Sequence, residues 1–237
     1  MMNERGKLYL IPTTLGDTSE VADVLPKSVN QIINTIDEYV VENEKSARHF
    51  LKKMGIKKSL QEIILHPIDQ HVKSTEIASY LNNIDQGKNI GVLSEAGCPA
   101  IADPGSEVVK IAHRKNIEVI PLVGPSSILL ALMASGFNGQ NFTFNGYLPK
   151  ERGERILKLK DIERLAHRKN QTQIFIETPY RNLHLLEDIL SSCEPSTQLC
   201  IGTDITLSTQ FIKTKSISEW KKKLPDIYKK PTIFLIN

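Results

Sequence analysis

The sequence predicts two α/β domains: a mostly parallel sheet with helices on both faces over residues 1–122, and a mixed sheet over 123–237. Three observations carry this reading. Short apolar runs alternate with helical stretches through the first half, the rhythm of a parallel sheet. The second half has more consecutive strands, which calls for a mixed sheet. The length of 237 residues, 40% hydrophobic and 24% charged, suits two ordinary globular cores.

Taken in order, KLYLI at 7–11 is a buried strand that opens, through Pro12, into the polar loop TTLGD. Val29, Ile32 and Ile33 stand at helical spacing behind Pro26, and Tyr39 to Val41 form a short strand. Residues 46–54 read as a helix closed by Gly55. Residues 75–83 read as another, with Ile77, Tyr80, Leu81 and Ile84 on one face and Gly87 as its stop. The strand IGVLS at 90–94 precedes the loop EAGCPAIADPG, and a helix over 106–115 leads to the strand EVIPL at 118–122. VGPSS then launches the apolar helix ILLALMASG, with Pro125 near its start and Gly136 just past its end. Strands are expected at 142–144, 173–176, 198–201, 209–213 and 232–236, with a charged segment at 149–170 and a helix at 181–192.

Bulk chemistry narrows the function classes. The formal charge of +3 permits an anionic partner without demanding one. Cys98, Cys193 and Cys200 form no C-x-x-C pair, which fits a reducing compartment and a cytoplasmic protein. The opening MMNERGKLYLIP has no leader-like apolar stretch, and no run reaches the ~20 apolar residues of a membrane span. No His/Cys spacing suggests a metal site.

Ligands of open α/β sheets bind beyond the carboxyl ends of the strands. Three loops rich in small residues sit there: Thr13 to Asp17, Ser94 to Pro99, and Val123 to Ser127. Small residues let a ligand reach the main chain, and a helix start at Ser126 suits an anionic group. Each loop alone is equally an ordinary turn. Neither G-x-G-x-x-G nor the phosphate loop is present.

In this order, GKLYLIPTTLGD, LSEAGCPAIADPG, IPLVGPSSILLALMASG, FNGYLPK and FIETPYR resemble the landmarks of the tetrapyrrole methylase superfamily. Within it they are most similar to the branch that methylates small-subunit ribosomal RNA, over about residues 6–237. The resemblance implies a homodimeric two-domain enzyme with S-adenosylmethionine in the cleft between its domains. It places cofactor contacts at Thr13, Ser94, Ala96, Gly97, Cys98, Ile101, Asp103, Gly124, Ser126 and Ser127. In the second domain it places them at Ile176, Glu177, Gly202, Thr203 and Thr232. The branch methylates the ribose 2′-hydroxyl of a cytidine; the wider family modifies tetrapyrroles or the diphthamide precursor.

The chain also departs from the branch. The usual A-E-D-T-R appears as Val41-Glu42-Asn43-Glu44-Lys45, and H-x-H-N-E as His66-Pro67-Ile68-Asp69-Gln70. Lysine cannot reproduce a bidentate guanidinium contact, and Asp-to-Asn removes a potential base. These departures point to an altered acceptor site.

Methyl transfer from a sulfonium asks the protein to align donor and acceptor and to exclude water; a hydroxyl acceptor also needs a base. Glu42, His66 and Glu177 are the catalytic candidates, with Glu95 and Asp103 as neighbouring carboxylates. The alternatives are a helix cap for Asp103, an ion pair with Arg181 for Glu177, a solvated acid for Glu95 and a satisfied core residue for His66. Tyr180 and Arg181 suit stacking on a base or substrate, or else packing and capping. Residues 150–169 hold eight Lys/Arg against four acids, and residues 213–230 seven against two. Either suits RNA phosphate; a solvated helix face is the alternative for both, and for 150–169, with its interleaved acids, it is the preferred reading. No motif of paired exposed aromatics is visible. Three functions follow: a methyltransferase acting on small-subunit RNA, one acting on a tetrapyrrole or other small molecule, and a catalytically silent cofactor-binding module.

Overall fold

The computed structural model describes residues 5–69 and 71–237; the start of the amino-terminal stretch read above, residues 1–4, and Gln70 of the HPIDQ segment lie outside the described residues. The chain divides into two compact units, one reaching to Ser126 and one spanning Ser127–Asn237.

The first unit runs β1 (Leu8–Ile11), α1 (Val21–Val24), α2 (Lys27–Ile33), β2 (Glu38–Val41), α3 (Glu44–Lys53), β3 (Ile64–Pro67), α4 (Ser74–Tyr80), a 3-10 turn (Asn82–Gln86), β4 (Ile90–Leu93), α5 (Gly105–Arg114) and β5 (Val119–Pro121). Its strands lie in the order β3-β2-β4-β1-β5, and every pairing is parallel. Successive residues of β2 point to opposite faces. Tyr39 and Val41 join a core with Ile33 and Leu51 beneath α2 and α3. Val40 joins Leu8, Val92, Ile77 and Ile111 beneath α4 and α5. Burial on both faces explains why IGVL reads as a continuous apolar run.

This topology sets where a ligand can bind. The adjacent strands β1 and β4 are followed by helices on opposite faces, α2 after β1 and α5 after β4. Their outgoing loops leave the sheet where the strand order reverses, and ligands of open sheets bind at that point.

Three local differences from the expected elements have simple causes. β3 went unread because it is an exposed edge strand, with Ile64 and Pro67 at the surface, so its apolar pattern is weak. The helix expected from 46 begins at Glu44, because Asn43 caps it by accepting from the backbone N–H of Lys45 (2.9 Å) and Ser46 (3.2 Å). The helix expected over 75–83 ends at Tyr80 and tightens into the 3-10 turn, which Gly87 closes at φ +84°.

The second unit runs α6 (Ser127–Ser135), β6 (Phe142–Tyr147), α7 (Arg152–Lys169), β7 (Thr172–Ile176), α8 (Asn182–Ser192), β8 (Gln198–Thr203), β9 (Phe211–Ser216), α9 (Ile217–Trp220) and β10 (Thr232–Ile236). The sheet order is β6-β7-β10-β8-β9. β6 and β7 are parallel, whereas β10 and β9 pair antiparallel with their neighbours, so the sheet is mixed as expected. Its main core joins Phe175, Phe234, Leu159, Ile162, Ile189 and Trp220. Trp220 is fully buried and donates its indole N–H to the Leu199 carbonyl at 2.9 Å.

The charged segment 149–170 proves to be helix α7, which buries Arg155 and Glu163 among Leu159, Ile162 and Ala166. Asp188 of α8 receives Arg155 (2.6 Å) and Arg152 (2.9 Å). Burial alone would raise the Asp188 pKa, but the hydrogen bonds from both arginines hold it below its ordinary value. Asp188→Ala strands the Arg155 guanidinium in the core and is expected to cost about 3–5 kcal/mol in denaturant unfolding. A depressed folded-state pKa stabilises at neutral pH and loses that stability as pH falls through it, so the gap between wild type and variant should close in acid.

Candidate active site

The loops leaving β1, β4 and β5 meet at Gly97. The Thr13 N–H donates to the Gly97 carbonyl at 2.9 Å, and the buried Ser94 hydroxyl donates to the same oxygen at 2.8 Å. Thr13 Oγ1 lies 3.5 Å from Ser94 Oγ. Gly97 has φ +73°, and a Cβ there would come 3.0 Å from Leu15 Cδ2 and 3.1 Å from the Pro125 carbonyl, so all three loops close around it. Cys98 Sγ is 3.5 Å from the Pro125 carbonyl oxygen. Gly124 is compelled too: a Cβ would sit 2.3 Å from the ring of Pro12. Ser126 ends this unit, and Ser127 opens α6 of the next.

Beyond Gly97 the chain is strained. Ala100 and Ala102 adopt φ of +66° and +61°, a region that alanine occupies at a cost of about 1–2 kcal/mol per residue. Between them Ile101 is half exposed. Asp103 holds this turn, its carboxylate accepting from the Ala100 N–H (2.9 and 3.0 Å) and the Gly105 N–H (2.8 Å). Asp103 therefore orders the loop ahead of α5 rather than serving as its cap residue, which is Pro104. Sequence reading missed the two left-handed alanines, since no residue type announces them.

Glu42 lies just past the end of β2, half-buried, and accepts from the Glu95 N–H. Its pKa is raised, first by burial and then by the neighbouring charge of Asp103, with Glu95 adding to it. Asp103 is itself raised by burial. Ser46 Oγ donates to Glu95 at 2.6 Å, tying α3 to the loop after β4. The structure thus brings together Thr13, Glu42, Ser94, Ala96, Gly97, Cys98, Ile101, Asp103 and Gly124. Among the described residues no group of three or more His, Cys, Asp or Glu is placed to hold a metal ion. No helix among them is long and apolar enough to cross a membrane.

His66 stands apart from this set. Its ring stacks on Tyr80 of α4 at 4.5 Å, and its Nε2 lies 3.4 Å from Glu38 Oε2. Glu38 is buried and also accepts from Asn83 at 2.7 and 2.9 Å. His66 thus faces the α4 side of the sheet, in a satisfied polar cluster.

In the second unit the named residues gather at one end of the three central strands, β7, β10 and β8. Ile176 ends β7 opposite Ile233, which lies opposite Gly202 on its other side. Thr203 and Thr232 pair directly, their hydroxyls 3.2 Å apart. Glu177 is buried and accepts from the Thr178 N–H at 2.6 Å and from the Arg181 guanidinium, so its charge is already engaged.

Comparison with known proteins shows the family and the fold. A family model described as Tetrapyrrole (Corrin/Porphyrin) Methylases matches residues 7–220. The chain is 30% identical over 238 residues to the ribosomal RNA small subunit methyltransferase I of Buchnera aphidicola subsp. Schizaphis graminum, covering 99% of this chain and 79% of that one. It is 30% identical over 224 residues to the protein of the same name from Thermotoga maritima, covering 93% and 94% respectively. Among solved structures, the methyltransferase CobJ superposes with a TM-score of 0.65 at 19% identity, covering 98% of this chain and 94% of that one. Cobalt precorrin-4 methyltransferase CbiF gives 0.61 at 15%, with the same coverage. At such identities these structures show a shared fold. The chain belongs to the tetrapyrrole methylase family and is an S-adenosylmethionine-dependent methyltransferase.

Proposed function

We propose that the chain methylates small-subunit ribosomal RNA at the ribose 2′-hydroxyl of a cytidine. The observation that carries this reading is Glu42, a half-buried carboxylate of raised pKa beside the converged loops, in a chain whose relatives bear the name of that RNA enzyme. A hydroxyl is a poor nucleophile until its proton leaves, and a carboxylate tuned toward neutrality suits that task. His66, held by Glu38 and Tyr80, is not needed in this account.

The crossing loops of the first unit fit the cofactor. Ala96, Gly97 and Cys98 keep side chains out of the way, Leu15 supplies apolar surface, and Glu42, Glu95 and Asp103 set a negative field that favours a sulfonium cation. S-adenosylmethionine supplies an activated methyl carbon, so the protein's own residues need only align and deprotonate the acceptor. Ile176, Glu177, Gly202, Thr203 and Thr232, with Ser126 and Ser127, are proposed as further cofactor contacts. Glu177 then acts through its main chain, its carboxylate being paired with Arg181. Assembly as a homodimer and a cytoplasmic location belong to the same reading.

The acceptor is tested by tritium transfer from labelled S-adenosylmethionine to small ribosomal subunits isolated from a strain lacking this enzyme. Label in the RNA is the expected result. Label confined to a small-molecule fraction, such as added tetrapyrrole precursors, would replace RNA with a small-molecule acceptor. No label in any fraction would favour a silent module.

A further inference from the structure

In the second unit two tyrosines 48 residues apart in sequence meet at one lysine. Lys229 Nζ lies 5.0 Å from the ring centroid of Tyr228 and 5.6 Å from that of Tyr180. Both rings are exposed, Tyr180 at 72% and Tyr228 at 54%. What sets this pair apart from the other exposed aromatics is that two rings share one lysine and leave aromatic surface open for stacking. Lys229 holds φ +57°, a left-handed conformation outside any helix.

The two loops that carry the rings are clasped. The fully buried Asn182 donates its side-chain amide to the Lys230 carbonyl at 2.7 Å, while its Oδ1 is buried without a partner. Arg181 is committed to Glu177 and Lys230 to Asp226 (2.8 Å), which leaves Lys229 with the exposed run Lys221, Lys222 and Lys223 on the same connection.

We propose that Tyr180 and Tyr228, bridged by Lys229, form a stacking platform for unpaired bases of an RNA strand, with Lys221 to Lys223 contacting its phosphates. Base–aromatic stacking beside a basic track is how proteins hold single-stranded nucleic acid without reading its sequence. The surplus of seven basic over two acidic residues across 213–230 complements a polyanion. The proposal rests on the RNA reading above and extends it to a docking surface.

The test is fluorescence anisotropy of a labelled short single-stranded RNA with the full chain, over a salt series. Tyr180→Ala/Tyr228→Ala is expected to weaken binding about tenfold with an unchanged salt slope. Tyr180→Phe/Tyr228→Phe should bind like wild type, and calorimetric S-adenosylmethionine affinity should match wild type in both variants. Lys221→Ala/Lys222→Ala/Lys223→Ala should instead flatten the salt slope. The platform is overturned if the alanine pair binds RNA within about twofold of wild type, if the phenylalanine pair is as weak as the alanine pair, or if wild type binds no RNA. Stacking-dependent RNA binding without methyl transfer would leave the platform standing and remove the acceptor assignment. Transfer to the subunit with unaltered alanine-pair affinity would do the reverse.

Discussion

Gly97→Leu is expected to leave the protein folded while weakening S-adenosylmethionine binding at least about a hundredfold by calorimetry, a loss of roughly 2.7 kcal/mol. The residue sits at φ +73°, where a side chain costs about 1–2 kcal/mol in backbone strain alone. A Cβ would also press on Leu15 and on the Pro125 carbonyl, both on loops that the Thr13 and Ser94 hydrogen bonds gather onto Gly97. Relief requires the three loops to part, which destroys the surface proposed to hold the cofactor. Gly136→Leu is the matched control. That glycine has φ +78° but nothing within 4 Å of its Cβ, so it carries the strain without the crowding. It should lower stability and leave affinity intact. Equal binding losses in both variants would mean that backbone strain, not loop convergence, is what matters.

Glu42→Gln is expected to lower kcat by about a hundredfold or more with S-adenosylmethionine affinity little changed, the size of effect attached to a general base. The pH dependence gives the sharper signature. Burial and the charges of Asp103 and Glu95 raise the Glu42 pKa, so wild-type kcat should fall as pH drops, starting above the ordinary carboxylate range. The glutamine variant should lose that limb. The stability sign runs opposite to that of Asp188. A raised folded-state pKa means that folding favours the protonated form, so ionised Glu42 destabilises the fold at neutral pH and the penalty fades as pH falls through that pKa. Glu42→Gln should therefore melt slightly higher than wild type at neutral pH, with the gain disappearing in acid. Loss of activity with no change in either pH profile would make Glu42 a positioning residue.

The sheet order was not legible, but the elements that build it largely were, because fully buried parallel strands leave short apolar runs that surface chemistry cannot disguise. β3 escaped because it is an edge with surface residues at both ends, and α9 because one turn carries no periodicity. The site loops announced themselves through glycine, proline and serine. Their conformation did not, since Ala100 and Ala102 carry left-handed backbone held by Asp103.

The departures from the branch pattern change meaning on the structure. Asn43 is a helix cap, a role that Asp and Asn fill equally well, so the change there removes no charge that the fold requires. Lys45 is exposed on α3. His66, the one match in its segment, is absorbed by Glu38 and Tyr80. The proposed aromatic pair was hidden by distance along the chain: Tyr180 follows β7 and Tyr228 precedes β10, and the antiparallel pairing of those strands, with the Asn182 hydrogen bond, brings their loops together.

Transfer to a ribose hydroxyl, the step for which Glu42 is proposed as base, is tested most directly by alkaline hydrolysis of small-subunit RNA labelled by this enzyme. Alkali cleaves RNA through attack of the 2′-oxygen on the adjacent phosphate, and a 2′-O-methyl group blocks that step. Label is expected in an alkali-resistant dinucleotide that begins with cytidine. Label released in mononucleotides would place the methyl group on a base and contradict transfer to the hydroxyl.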